Sequence, residues 1–294
     1  VSAAQAGPVA RLAVIGPGAY GRSLAAWAAR CGVAVRLAGR DAEHGQAGRA
    51  RILQGWDSAV ARGRLAEAER ERARTLLVAA ASVQGALEDA DAVLEALPED
   101  LALKAGFWRA VAPWEGLALS GSSSIPMGAL ALAAGHPGPI LGFHGFVPLD
   151  RSGVIELAVP AGAAAAPEVQ RARDLAARLG KRVVEVRDQA GFAASRMALA
   201  QGLEAMRLLE AGAADRDGLD ALMVLGYGHP AGPLELSDRI GLDLRLAIAD
   251  RIHGETGLEA FRAPAILRDL VAAGRTGRAA GRGFYEWDGE GRKR

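Results

Sequence analysis

The stretch Arg11-Leu12-Ala13-Val14-Ile15-Gly16-Pro17-Gly18-Ala19-Tyr20-Gly21 decides the fold. The apolar run that closes on Ile15 has the length of a buried strand. Gly16, Gly18 and Gly21 follow in a G-x-G-x-x-G spacing. Arg22 to Cys31 then reads as an Ala-rich helix that Gly32 ends, and Val33 to Ala38 as a second strand. Strand, glycine loop, helix, strand is the opening unit of a doubly wound sheet. In such a unit the first Gly permits a tight turn, the second lets the backbone approach a pyrophosphate, and the third allows the helix to pack closely on the strand. The helix N-terminus offers free N–H groups and a partial positive charge to phosphates. Gly16, Gly18, Ala19, Tyr20 and Gly21 are therefore the candidate dinucleotide-binding residues of the loop.

Downstream, Glu43 to about Arg74 is polar and helical by composition, with Gly63 as a break. Short apolar segments follow at Thr75–Val78, Ala92–Ala96, Gly116–Ser120, Ile140–Phe143, Ile155–Val159 and Val183–Val186. Strands separated by helical stretches indicate a mostly parallel sheet with helices on its faces. From Gly191 onward the pattern is helical, with Leu203, Met206, Leu208 and Leu209 on one stripe, up to a short Gly283–Glu286 tail. The expected fold class is α/β: a Rossmann-type doubly wound, mostly parallel sheet followed by an all-α C-terminal domain. The boundary falls near Arg187-Asp188-Gln189, giving a dinucleotide-binding domain over 1–187 and a helical substrate and dimerisation domain over 188–294. A cleft between two such domains is the usual place for a substrate.

Composition narrows the function. Lys and Arg number 35 against 34 Asp and Glu, too even a balance for a nucleic-acid binder. Lys104, Lys181 and Lys293 are the three lysines, every other basic residue being Arg, which fits a GC-rich coding bias. Cys31 is the single cysteine, so neither a disulfide within the chain nor a CxxC metal site is expected. The five histidines lack metal-ligand spacing, so no metal is expected. No stretch of 18 apolar residues suggests a membrane span, and the opening VSAAQAGPVARLAVIG lacks the features of an export signal. A cytoplasmic location is the expectation.

The end of the second strand bears on the cofactor. NAD sites place Asp or Glu there to take the ribose 2′-OH. Counting from Gly21, that place falls at Gly39, followed by Arg40 and Asp41. Gly39 has no carboxylate to repel a 2′-phosphate, and Arg40 carries the guanidinium that could pair with one. The cofactor is read as NADP or NAD, with Gly39 and Arg40 weighting the choice toward NADP.

His144 follows Ile140-Leu141-Gly142-Phe143, at the C-terminal end of a strand, the edge where doubly wound sheets bind ligands. Glu156 lies 12 residues on, inside the apolar run Val154–Val159. A carboxylate there is expensive to bury unless paired, and an imidazole is its natural partner. An imidazole near neutral pKa can accept the proton of an alcohol while hydride leaves its carbon.

Nearly the full length of the chain resembles the L-3-hydroxyacyl-CoA dehydrogenases. The matching blocks occur in family order: Gly16–Gly21; Ala90 to Leu101; Ser120-Gly121-Ser122-Ser123-Ser124; His144-Gly145-Phe146-Val147-Pro148 through Glu156; Gly191 to Arg196; Gly226 to Asp238; and Gly274 to Tyr285. The resemblance implies that His144 and Glu156 form a catalytic dyad, with hydride passing between a 3-hydroxyacyl thioester and the nicotinamide cofactor. It implies that the Ser123 hydroxyl bonds the substrate oxygen, although Ser122 or Ser124 could equally play that part. Glu99 and Lys104 match positions that contact the cofactor. Ser195 stands where the family has an Asn that positions substrate near the His, and Val147 replaces an Asn of the His-Phe-Phe-Asn-Pro motif. Ser is shorter than Asn and offers one donor instead of two. These departures point to an altered substrate, such as a hydroxy acid that is free or carried on an acyl carrier protein, or to an altered cofactor geometry; a catalytically silent cofactor-binding homologue is the further alternative. The resemblance also implies a homodimer through the C-terminal helices. It places Arg49, Arg51, Arg62 and Arg64 near the CoA, with a solvated mixed-charge helix as the plainer alternative.

Overall fold

The computed structural model describes residues 7–294, so the opening Val1–Ala6, on which part of the export reading falls, lies outside the described residues. The chain forms two compact units that divide between Phe192 and Ala193.

The first unit carries one eight-stranded sheet in the order β3-β2-β1-β4-β5-β6-β7-β8. Its strands are β1 (Arg11–Ile15), β2 (Ala34–Ala38), β3 (Leu77–Ala79), β4 (Ala92–Glu95), β5 (Leu117–Ser120), β6 (Leu141–Gly145), β7 (Val154–Val159) and β8 (Arg182–Arg187). Between them run α1 (Ala19–Arg30), α2 (Ala42–Ala61), α3 (Glu67–Leu76), α4 (Val83–Leu87), α5 (Leu101–Ala110), α6 (Met127–Ala134) and α7 (Pro167–Arg178). Every apolar segment read as a strand from the sequence is one. The third begins later than expected, because Thr75 and Leu76 close α3 rather than open β3.

Strand β1 shows why both faces are covered. Leu12 and Val14 enter one core cluster with Leu24, Leu94 and Leu119. Ala13 and Ile15, pointing the opposite way, enter a second with Val93, Trp108 and Ile125. Burying each large aliphatic side chain contributes roughly 1.5–3 kcal/mol.

One pairing departs from the parallel pattern: β6 and β7 are antiparallel. The reason is chain length. Phe146 to Gly153 alone link the two strands, and a parallel crossover needs a dozen or more residues. The chain must turn straight back, and the resulting register sets His144 directly opposite Glu156.

The second unit is helical: α8 (Ala194–Glu210), α9 (Arg216–Ala221), a π-helical turn (Leu222–Gly226), α10 (Pro233–Ile240), α11 (Leu242–Thr256) and α12 (Ala265–Ala272). Asp220, from α9, caps α10 by accepting from Leu234 N at 2.8 Å and Glu235 N at 2.9 Å. Asp238 is buried and gathers the tail, accepting from Phe284 N at 2.9 Å, Tyr285 N at 2.8 Å and Trp287 Nε1 at 3.0 Å. The Gly283–Glu286 segment is thus held by a buried carboxylate rather than by a strand ladder; it contributes an isolated bridge between Arg282 and Glu286.

Asp238→Ala leaves three donors without their acceptor and should cost on the order of 3 kcal/mol in the second unit. Trp287 is the one tryptophan beyond Ala193. In a variant whose other tryptophans are Phe, its emission during urea unfolding should report an earlier transition. An unchanged midpoint would contradict this role.

Candidate active site

The glycine loop sits where the sheet order reverses, between β1 and β4. Gly16 has φ +104°, and a Cβ there would lie 2.5 Å from the Ala96 carbonyl oxygen. The close approach and the left-handed backbone both require glycine. Around Gly18, by contrast, a Cβ would have the Ala96 carbonyl alone at 4.0 Å. Gly18 and Ala19 are exposed. No side chain caps the N-terminus of α1, and no acidic residue lies in its first turn. Open space beside uncapped N–H groups is what a pyrophosphate needs, so the loop fits a dinucleotide.

Tyr20 turns inward from the loop. Its hydroxyl donates to the Phe143 carbonyl, one residue before His144. Its ring lies against Gly121 and Gly145, where a Cβ on Gly145 would come within 3.2 Å of it. Burial pushes the phenol well above its ordinary pKa. Tyr20 thereby ties the glycine loop to the strand that carries His144.

At the end of β2, Gly39 is crowded: a Cβ would lie 2.7 Å from Gly45 N and 2.8 Å from the His44 Cβ. The Arg40 side chain is 83% exposed and touches Asp41 through Nε at 3.2 Å. Asp41 also caps α2 by accepting from His44 N at 2.7 Å.

Glu99 and Lys104, read from the sequence as cofactor contacts, have a different immediate task. The Lys104 side chain is 1% exposed, and its ammonium bonds Glu95 Oε1 at 2.7 Å and the Leu97 carbonyl at 3.0 Å. It also lies 3.6 Å from Glu99 Oε2. So deep a lysine has no surface left for a ligand. Glu99 Oε1 in turn accepts from Ser122 Oγ at 2.6 Å, Ser123 N at 3.1 Å, Ser124 N at 2.8 Å and Ser124 Oγ at 2.8 Å. Glu95 holds the root of the same loop by accepting from Ser120 Oγ at 2.7 Å. Burial pushes the Glu99 carboxyl up, but the Lys104 charge and the Ser122 and Ser124 bonds outweigh it and hold the group below the usual carboxylate range.

This network separates three serines that look alike in sequence. Ser122 and Ser124 are buried and their hydroxyls are committed to Glu99. Ser123 is partly exposed and is held through its backbone, leaving its hydroxyl available.

His144 Nδ1 lies 2.7 Å from Glu156 Oε2, with side-chain exposures of 13% and 4%. A proton on Nδ1 would donate to this carboxylate and leave the lone pair on Nε2. Phe146 and Phe192 flank the ring, with centroids at 5.0 Å and 6.4 Å. Phe192 is buried at φ +46°, a strained backbone that seats it against Gly142. The two phenylalanines belong to blocks quoted from the sequence, but nothing in their residue type marks them as neighbours of the imidazole. Ser123 and His144 leave neighbouring strands at the same carboxyl edge, since β5 pairs with β6.

Ser195 lies in the first turn of α8, in the second unit. Val147 is exposed beside a cavity of about 310 Å³ whose lining includes Arg22, Arg51, Trp27 and Trp56. Of the four arginines read as near a CoA, Arg51 alone lines it. Arg49 is spent on the Leu77 carbonyl at 2.8 Å, while Arg62 and Arg64 are exposed. Burial, and then the nearby Arg51 charge, lower the Arg22 pKa.

The glycine loop at the switch point and a histidine paired with a carboxylate thus share one edge of the sheet. Residues 11–189 match the NAD binding domain of 3-hydroxyacyl-CoA dehydrogenase and residues 191–287 its C-terminal domain. The chain is 36% identical to the 3-hydroxybutyryl-CoA dehydrogenase of Mycobacterium tuberculosis over 95% of its length and 99% of that protein. It is 31% identical to a probable 3-hydroxybutyryl-CoA dehydrogenase of Bacillus subtilis, covering 95% and 98%. The crystal structure of (S)-3-hydroxybutyryl-CoA dehydrogenase from Ralstonia eutropha is similar with a TM-score of 0.88 at 28% identity, covering 95% of this chain and 99% of that one. The chain belongs to the 3-hydroxyacyl-CoA dehydrogenase family of nicotinamide-dependent oxidoreductases, whose N-terminal domain is described as NAD binding. Among the described residues no helix is long and apolar enough to cross a membrane.

The Glu99 network carries a pH signature. A carboxyl whose folded pKa is depressed adds stability above its unfolded value, about 4.3, and loses it as pH falls through the folded pKa. Urea unfolding should therefore show Glu99→Gln less stable than the parent at pH 7, with the gap shrinking toward pH 3. A gap independent of pH would contradict the assignment.

Proposed function

We propose that His144 and Glu156 are the general base and its orienting carboxylate in oxidation of a 3-hydroxyacyl thioester, and the proton donor pair in the reverse reduction. The 2.7 Å bond between His144 Nδ1 and Glu156 Oε2 carries this reading. It fixes the tautomer that leaves Nε2 free to take the hydroxyl proton. The Glu156 charge stabilises the imidazolium as it forms, the role an acid plays in a hydrolase triad without the nucleophile. The nicotinamide ring, when bound, supplies the acceptor for the hydride. The Ser123 hydroxyl donates to the substrate oxygen, held at its post by Glu99. Phe146 and Phe192 exclude water from the imidazole, which strengthens its pairing with Glu156.

The Arg22 and Arg51 pair supports a phosphate-bearing thioester. The two cations line one cavity together with Asp150, and among the described residues no carboxylate is bonded to either. A phosphopantetheine chain presents the same phosphate whether it ends in CoA or on an acyl carrier protein, and Val147 and Ser195 favour an acyl group unlike the family's usual one. In the second unit, exposed Leu222, Leu225 and Tyr227 offer the apolar surface for pairing with a second copy in the cytoplasm.

His144→Ala should lower kcat with acetoacetyl-CoA and NADH by about 10²–10⁴, while the dinucleotide, titrated by fluorescence, binds as before. Glu156→Gln should lower kcat by a smaller factor and move the basic limb of the kcat/KM profile. Turnover surviving in His144→Ala would sink the proposal.

A further inference from the structure

The end of β2 is where a Rossmann site reads the ribose 2′ position, through an acid for the free hydroxyl or an arginine for a 2′-phosphate. Here the acid is missing, and the fold leaves no room for one. A Cβ on Gly39 would lie 2.7 Å from Gly45 N, 2.8 Å from the His44 Cβ and 2.9 Å from the His44 carbonyl carbon. These contacts are mostly backbone, so no rotamer relieves them. The crowding arises because α2 begins close against the strand end: Gly45 N bonds the Asp41 carbonyl at 3.2 Å, and Gly48 packs on Pro17 of the glycine loop. A carboxylate could reach the ribose from position 39 only if α2 moved.

The next residue is the complement. Arg40 is 83% exposed, and its side-chain bond runs through Nε to Asp41 Oδ2 at 3.2 Å. Among the described residues the two terminal guanidinium nitrogens, the pair that grips a phosphate in a fork, carry no bond. Asp41, the adjacent acid, is committed twice, to Arg40 and to His44 N at 2.7 Å. The helix cap keeps that carboxylate at the start of α2 instead of freeing it for a ribose hydroxyl.

We propose that Arg40, beside a Gly39 that cannot be replaced by an acid, makes this site hold the 2′-phosphorylated dinucleotide, NADP(H), in preference to NAD(H). The inference rests on the dinucleotide reading of the Gly16–Gly21 loop and concerns the selectivity of that site, not the chemistry at His144. It divides this chain from the behaviour that its family domain's description implies.

Calorimetric titration of the full chain with NADPH and NADH tests it, with adenosine 2′,5′-bisphosphate and AMP as probes that lack the nicotinamide. NADPH should bind about tenfold or more tightly than NADH, and the bisphosphate should outbind AMP by a similar factor. Arg40→Ala should collapse both ratios toward one. Arg40→Lys, which keeps the charge but not the fork, should restore part of them. Raising the salt should erode the NADPH advantage, since the contact is exposed. Arg40 lies on the surface, so the variants keep the fold, which circular dichroism checks. NADH binding as tightly as NADPH in the parent would overturn the proposal while leaving the dehydrogenase reading intact. Failure of every probe to bind would overturn both. An NADPH preference that survives Arg40→Ala would remove Arg40 from the account.

Discussion

A single buried ammonium organises the carboxyl edge of the sheet. Lys104 is enclosed on α5, and two carboxylates, Glu95 from the end of β4 and Glu99 from the following turn, converge on it. An ion pair this deep is costly to assemble and very costly to break, because either charge left alone would be stranded in a medium of low polarity. The geometry around it is therefore fixed. Since Glu95 bonds Ser120 and Glu99 bonds the loop from Ser122 to Ser124, the ammonium indirectly sets where the Ser123 hydroxyl stands. The same edge receives the glycine loop from β1 and His144 from β6, with Tyr20 joining the two through the Phe143 carbonyl.

His144 and Glu156 depend on a second constraint. In a wholly parallel sheet a cross-strand partner comes from a chain that has crossed over a helix. Here the link between β6 and β7 is too short for that, and the reversal it forces sets imidazole and carboxylate in direct register. A one-residue slip would send Glu156 to the other face of the sheet. Because the neighbours of Glu156 on its strand are buried apolar residues, the slip would also expose them, so packing and chemistry enforce the same register.

The sequence made much of this legible. Each strand is a short apolar run bounded by glycine or polar residues, and the glycine spacing marks the first crossover. Other features left no trace in residue type. Thr75 and Leu76 suit a strand in isolation, but continue the helix started by Glu67. Strand direction does not show in composition, although the short span between His144 and Glu156 excludes a crossover and would have predicted the antiparallel pair. A lysine on a helix reads as a surface charge, and nothing near Lys104 in sequence reveals that two glutamates enclose it. Ser122, Ser123 and Ser124 are chemically identical until burial separates them. Gly39 looked like a lost acid, whereas the packing of α2 shows a position with no space for any side chain.

The central claim is that Glu156 holds His144 in the tautomer that presents an unprotonated Nε2. Nitrogen-15 chemical shifts and one-bond N–H couplings of the histidine rings, assigned by loss of the His144 signals in His144→Ala, measure this directly. At a pH where the ring is neutral, the account predicts a proton on Nδ1 and a bare Nε2 for His144, with the proportion falling in Glu156→Gln. A proton resident on Nε2 in the parent chain would contradict it.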